Sequence, residues 1–465
     1  MRPAAAAEKV LGIPSVVVSL PGFKILGQLA ATAAGVPDLP IVEYPGVVGM
    51  DHAEIRDKIE STLYGKIISA LTRPVKSQAQ GKIELRDPKA IVCTGSFEEI
   101  NDYFREQEWN DGLPIVPPTI ARIEQFLYYT DRSCDDVIAV LPQARLRATP
   151  WNIAANGVMA GCKPQTMPLL IAIAEALQED RFNLENIGTT GGIVPYVLVS
   201  GPIVTQLGFH SGAGLISGGT NPALGRALGL MIRNVGGYRP AKNQMGSFGY
   251  PISFAFAEND DLNPWQPLRV ERGFERGTST VSVNTTVSWG WSPTPYTRDD
   301  KTGAQCVLEL MCRDLVRKPA LPLFAERGPN GFVTDVVFLL SPSLARVLAD
   351  AGYSKDDIRR YVCENAKVAR SYMDWELKYA IAEVHTVEEK IRLGTFPESY
   401  AVGPDDMIPI MPGPEYIDIV VCGDPGRNRF KTLDSMYTRL TTREVKLPEN
   451  WNSLRKSQRP NGVRP

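Results

Sequence analysis

Apolar positions along the chain fall into two alternating rhythms. Residues 13–20 (Ile-Pro-Ser-Val-Val-Val-Ser-Leu) are a short apolar, β-branched run, which predicts a buried strand. Pro21-Gly22 then turns the chain into a helix over 23–34, closed by Gly35. A second strand at 40–43 and a longer helix at 51–71 follow. Strand, helix, strand, helix in this order predicts parallel pairing with right-handed crossovers. The polar stretch 76–89 reads as a linker.

A strand at 90–93 opens the next region, with helices at 96–107, 120–129, 151–160 and 166–178. Thr149-Pro150 and Asn221-Pro222 each set a capping residue before a first-turn proline. Residues 194–200 read as a fully buried strand. The helix 221–234 carries a stripe of Leu224, Leu228, Met231 and Ile232, while Gly225 and Gly229 permit close packing. Ile252, Phe254 and Phe256 alternate with Ser253, Ala255 and Ala257 before Glu258-Asn-Asp-Asp261. Beyond it come a helix at 304–317, a strand at 333–340, a helix at 343–351, a further helix capped by Ser354, helical stretches to 393, and a strand at 416–422. The pattern predicts an α/β protein. A small parallel-sheet domain (1–78) precedes a linker and strand (79–95) and a larger mixed α/β region. That region divides into a glycine-rich, site-bearing domain (96–300) and a C-terminal portion (301–447), with a basic tail (448–465). No repeat of solenoid period is present, although two α/β lobes of one distant architecture are compatible with this pattern.

Composition narrows the class. Hydrophobic content of 43%, charged content of 22% and pI ≈ 6.1 are those of an ordinary soluble domain protein. A net charge of -2 argues against nucleic acid, which leaves a basic footprint. No apolar run approaches the roughly 20 residues that span a bilayer. Residues 1–10 are too short and too charged for a signal peptide. Seven scattered cysteines with no CxxC indicate neither a disulfide framework nor a zinc cluster, so reduced thiols in the cytoplasm are expected. His52, His210 and His385 lie far apart, which speaks against a histidine metal site. The cofactor is left unidentified.

Candidate chemistry concentrates between Gly188 and Gly249. This span holds fifteen of the chain's 40 glycines, four basic residues and no Asp or Glu. Ser217-Gly218-Gly219-Thr220-Asn221-Pro222 places amides and hydroxyls at a helix start, where the dipole attracts phosphate or carboxylate. Arg226, one turn in, is positioned to pair with that anion, and Thr189 and Thr190 to face it from a second loop. The alternative is a tight turn with ordinary caps. Glu258 and Asn259 follow a strand, where α/β folds present catalytic groups, so Glu258 is a candidate general base. Cys162, between two helices, is either a nucleophile or a small core residue. His210 lies inside the same block, and Asp111 is expected to line the same cleft.

Ile13-Pro-Ser-Val-Val-Val and Gly35-Val-Pro-Asp-Leu-Pro-Ile-Val42 resemble the UGSC family, named for a selenocysteine/cysteine-Gly-Ser-Cys motif. Trp109-Asn-Asp-Gly-Leu-Pro-Ile-Val-Pro-Pro-Thr119, Asn156-Gly-Val-Met-Ala-Gly-Cys-Lys-Pro164 and Asn234-Val-Gly-Gly237 resemble the large region of its longer members, as do Phe256-Ala-Glu-Asn259, Trp265 and Glu271-Arg-Gly273. The resemblance implies thiol or selenol chemistry, but this chain has no cysteine before Cys93 and so lacks the motif. Either the central site does the chemistry or another chain supplies the motif.

The expected function is that of an enzyme, or enzyme subunit, acting on a small anionic organic molecule by lyase, hydratase or hydrolase chemistry. Thiol-dependent redox chemistry and a non-catalytic support subunit are the alternatives. The two-strand N-terminal domain implies an oligomer, with copies of itself or with a related chain.

Overall fold

The computed structural model describes residues 2–46, 51–72, 87–142, 144–188, 191–246, 249, 252–288, 292–318, 321–328, 331–332, 334–381 and 385–457. Thr189, Thr190 and most of the expected linker lie outside them. The N-terminal unit runs α1 (Arg2–Leu11), β1 (Val17–Ser19), α2 (Lys24–Ala33), β2 (Ile41–Glu43), α3 (His52–Lys58) and α4 (Tyr64–Thr72), with one π turn joining the last two helices. β1 and β2 pair in parallel, Val17 opposite Ile41. Its buried cluster is small, built on Ala5, Ala31 and Leu39.

Two sheets packed face to face form the main body. The first is assembled from α5 (Phe97–Glu106), α6 (Ile120–Leu127), α7 (Pro150–Met159), α8 (Met167–Leu177), β3 (Val194–Ser200), α9 (Asn221–Asn234), β4 (Phe254–Ala257) and β5 (Thr280–Thr286). The second uses α10 (Gly303–Leu315), β6 (Val336–Leu340), α11 (Pro342–Asp350), α12 (Lys355–Asn365), β7 (Ile417–Val421) and β8 (Phe430–Asp434). The chain then returns to the first sheet as β9 (Thr441–Glu444) and ends its described course in α13 (Trp451–Ser457). Strand order is β9-β5-β3-β4 in one sheet and β7-β6-β8 in the other. In each, the central strand β3 or β6 has one parallel neighbour (β4, β7) and one antiparallel neighbour (β5, β8). The two sheets thus share one topology.

Side-chain alternation explains the layers. Val197, Val199, Ala255, Ala257, Val281 and Val283 face outward to α8 and α9, with α7 packed on those helices. Tyr196, Leu198 and Phe256 face inward and meet Val337, Leu339, Val420 and Leu433 of the second sheet. Phe338, Leu340, Ile419 and Val421 face outward to α10, α11 and α12. Helix, sheet, sheet, helix is therefore the order of the layers, and the strands are buried on both faces.

One expectation meets a different outcome. Residues 90–93 pair with no strand among the described residues; they pass over α6 and α7, leaving Ile91 70% exposed. β9, from the C-terminal portion, pairs with β5 of the earlier sheet (Thr441 opposite Val283).

Candidate functional site

The carboxyl end of β4 carries Glu258 into a closed cluster. Ser200, ending β3, donates its hydroxyl to Glu258 Oε2 (2.5 Å), and the Leu268 amide donates to Oε1 (2.9 Å). Arg269 Nη1 donates to Ser200 Oγ (2.9 Å) and to Asp260 Oδ1 (2.8 Å). Burial pushes the Glu258 carboxyl above its ordinary value, with Lys355, Ser200 and Leu268 pulling the other way. At 1% exposure, with both oxygens partnered, Glu258 is sealed. Asn259 donates its amide to the Val421 carbonyl (2.8 Å) and accepts from Leu262 through its side chain, joining the ends of β4 and β7.

The 208–220 loop packs beside this joint, the Gly423 amide donating to the Ser211 carbonyl (2.8 Å). Asn221 is fully buried, and its side chain ties down His210 and Leu215. The amides of Gly218, Thr220 and Asn221 already donate to the carbonyls of Gly214, Gly208 and Gly218. Thr220 Oγ1 donates to the Leu207 carbonyl, while Ser217 is exposed without a role in capping. The glycines have a local reason. A Cβ on Gly218 would lie 2.3 Å from His210 Nδ1, and one on Gly219 2.4 Å from the Gly208 carbonyl. Close packing within the chain accounts for these two.

Arg226 sits apart from Glu258 in this network. Its Nε and Nη2 form a bidentate pair with Asp111 (2.8 and 2.9 Å), and Nη2 also reaches the Pro114 carbonyl (2.9 Å). Burial works against the charge on Asp111, but the Arg226 guanidinium and the Leu113 amide outweigh it and hold the carboxyl below its ordinary value. An anion at Arg226 would have to displace Asp111. Cys162 follows Gly161 at the end of α7, its amide donating to the Gly157 carbonyl. Its thiol is buried and pushed up to about 12, which leaves it protonated at neutral pH.

A wide opening lies elsewhere, where the 88–95 segment crosses α6 and α7. It is a cavity of about 760 Å³, walled by Phe104, Trp109, Pro117, Pro118, Trp151 and Met159, with Lys89, Asn152, Asn156, Asn234 and Arg239 among its polar groups. This size and lining suit an organic ligand. Asn152, Asn156 and Met159 share one face of α7 by their spacing of four and three, and Thr149 and Asn152 cap its start reciprocally. Asn156 donates to the Asn152 carbonyl (2.8 Å). Asn234, ending α9, donates to both Asn156 Oδ1 and the Trp109 carbonyl (2.8 Å each). Three separate strings, around Trp109, Asn156 and Asn234, thereby converge. Asn234 Oδ1 is buried with no partner, an acceptor left open beside the cavity. Lys89 holds the crossing segment, through Asp135 (2.9 Å) and over the Trp151 ring (5.5 Å). A second cavity of about 320 Å³ is charged, but Arg272 and Arg359 in its wall are paired with Asp418 and Glu271.

Sequence reasoning missed this pocket: it assigned none of Trp151, Asn152, Asn156, Asn234 or Arg239 to a site, although Asn156 and Asn234 stood in the strings that carry the resemblance. The available signal was Asn152 and Asn156, four apart on the helix expected at 151–160. Among the described residues no group of three or more His, Cys, Asp or Glu is placed to hold a metal. No described helix is long and apolar enough to cross a membrane. No protein-family model, no curated protein and no solved structure matches the chain.

Proposed function

We propose that the protein binds a small anionic organic molecule in the pocket between the 88–95 segment and α7, as the ligand-binding part of an enzyme. The cavity of about 760 Å³ with an aromatic wall and an amide row carries this reading. The anionic preference is supported by the side chains behind Asn234. Arg233, Arg239 and Lys242 gather around the carboxylate of Glu108, with Asp111 also facing Arg233. Lyase, hydratase or hydrolase turnover by Glu258 would require that carboxylate to leave Ser200 and Leu268. The described lining residues of the pocket include no Asp, Glu or His. Thiol chemistry has Cys93 in the wall as its available group. Seven free cysteines are compatible with a reducing compartment, and we place the protein in the cytoplasm.

Native mass spectrometry of the purified chain tests the proposal, with an organic acid expected to remain bound. Asn156→Leu, which fills the amide row, should lose it while the fold survives. Retention of the acid by that variant assigns it to another site.

A second reading has its own support. Among the described residues the N-terminal sheet has two strands, and Val18 within it and Leu20 just after it are 46% and 43% exposed. This favours a support subunit whose sheet is completed by a partner, either a copy or a chain bearing the Cys-Gly-Ser-Cys motif. Sedimentation at micromolar concentration decides it, because a stable, ligand-competent monomer removes the need for a partner.

A further inference from the structure

The shape of the pocket says more about its ligand than its volume does. Its long direction follows α7, because Trp151, Asn152, Ala155, Asn156 and Met159 all line it. The eight helical steps from Trp151 to Met159 span about 12 Å. Trp109 stands at the Asn156 end, since Asn234 bonds the Trp109 carbonyl and Asn156 Oδ1 together. Trp151, five residues before Asn156, lies about 7.5 Å of helix rise away. Two indoles, Trp109 and Trp151, thus line the slot, with Pro117 and Pro118 in the same wall.

Neither indole is free to turn away. Trp109 packs edge-on against Tyr103 and Phe104 (centroids 5.9 and 5.4 Å). Trp151 is covered by the Lys89 ammonium, itself fixed by Asp135. Arg239 closes the Asn234 end. Its Nη1 is committed to the backbone carbonyls of Tyr238 and Arg233, which orients the guanidinium. Arg239 is partly buried near the like charge of Arg233; burial and that charge lower its pKa, against the opposing pull of Glu108. A cation so placed gains most from an anionic ligand. A planar carboxylate matches the guanidinium fork.

We infer that the ligand is an aryl carboxylate, its ring held between Trp109 and Trp151 and its carboxylate on Arg239. This deepens the proposed function and rests on the same pocket. Ring-on-indole contacts separate it from aliphatic acids, and the Arg239 contact separates it from neutral aromatics.

Calorimetric titration of the full chain with benzoate, hexanoate and benzyl alcohol tests it. Benzoate should bind about tenfold more tightly than either of the others. Trp151→Leu should abolish the preference over hexanoate, and Arg239→Gln the preference over benzyl alcohol. Arg239→Lys, which keeps the charge and loses the fork, should fall between. Hexanoate binding as tightly as benzoate overturns the aryl assignment and leaves the anion reading standing. Benzyl alcohol binding as tightly as benzoate overturns the anion reading itself. No heat from any of the three at about 10 mM overturns both.

Discussion

Asp434 illustrates how much a single buried group can weigh. It ends β8 fully buried, accepts from Ser288, and stands 3.5 Å from the Lys318 ammonium, with Oδ2 unpartnered. Burial drives its pKa from 3.8 to about 6, with Lys318 and Ser288 offsetting part of the effect. The folded value is raised. Its contribution to stability is therefore complete below the unfolded value and lost as pH rises through about 6. Two units correspond to about 3 kcal/mol. The stability of wild type minus that of Asp434→Asn should fall by about that amount between about pH 4 and about pH 7. Urea titrations across that range measure it, and a flat difference contradicts the raised value. The Arg226–Asp111 pair behaves oppositely, because its partners are already satisfied. A double-mutant cycle with Arg226→Met and Asp111→Asn should show a coupling of about 2–3 kcal/mol. At Cys162, Cys162→Ser should leave ligand binding intact, and iodoacetamide at neutral pH should spare its thiol. Loss of binding with an unchanged Tm would make the thiol functional.

Elements were legible wherever period and burial agreed. The spans 194–200 and 221–234 match β3 and α9, because an unbroken apolar run and a proline-capped stripe have few competing readings. β5 escaped notice despite being central. Its sequence, Thr-Val-Ser-Val-Asn-Thr-Thr, looks like a solvated segment, yet all seven residues are buried. Its inward polar side chains meet a polar layer between the sheets. Asn284 donates to Asp335 and accepts from Thr438, and Ser435 bonds both Asp335 and the Thr438 carbonyl. A strand whose polar face is satisfied by distant residues cannot be recognised from its own sequence. The glycine block misled for a related reason, since close packing within the chain and close approach to a ligand ask for the same residue. Gly225 makes the point. A Cβ there would fall 2.5 Å from Phe254 Cα. Gly225→Ala should push α9 off β4 and cost about 2–3 kcal/mol in chemical denaturation. A neutral effect would mean that the helix has slack.

On the scale of the whole molecule, the α/β class and the parallel pairing at the N-terminus follow from element order, whereas the face-to-face stacking of the two sheets does not. Periodicity marks a strand as buried on both faces without saying whether a helix or a second sheet covers it. The pocket was hidden similarly, because its walls come from residues 88–123, 151–159 and 234–239, which no local pattern links.

The return of β9 to the first sheet has a consequence for synthesis. β5 leaves the ribosome about 150 residues before Thr441, and its edge stays unpaired until that strand is made. At typical elongation rates this interval lasts about 8–30 s. During it the nascent chain exposes the β5 edge of a nearly complete sheet, a template for wrong pairing. Yield in a host should therefore depend on trigger-type chaperones and on elongation speed between residues 287 and 441, more than on the final stability of the fold.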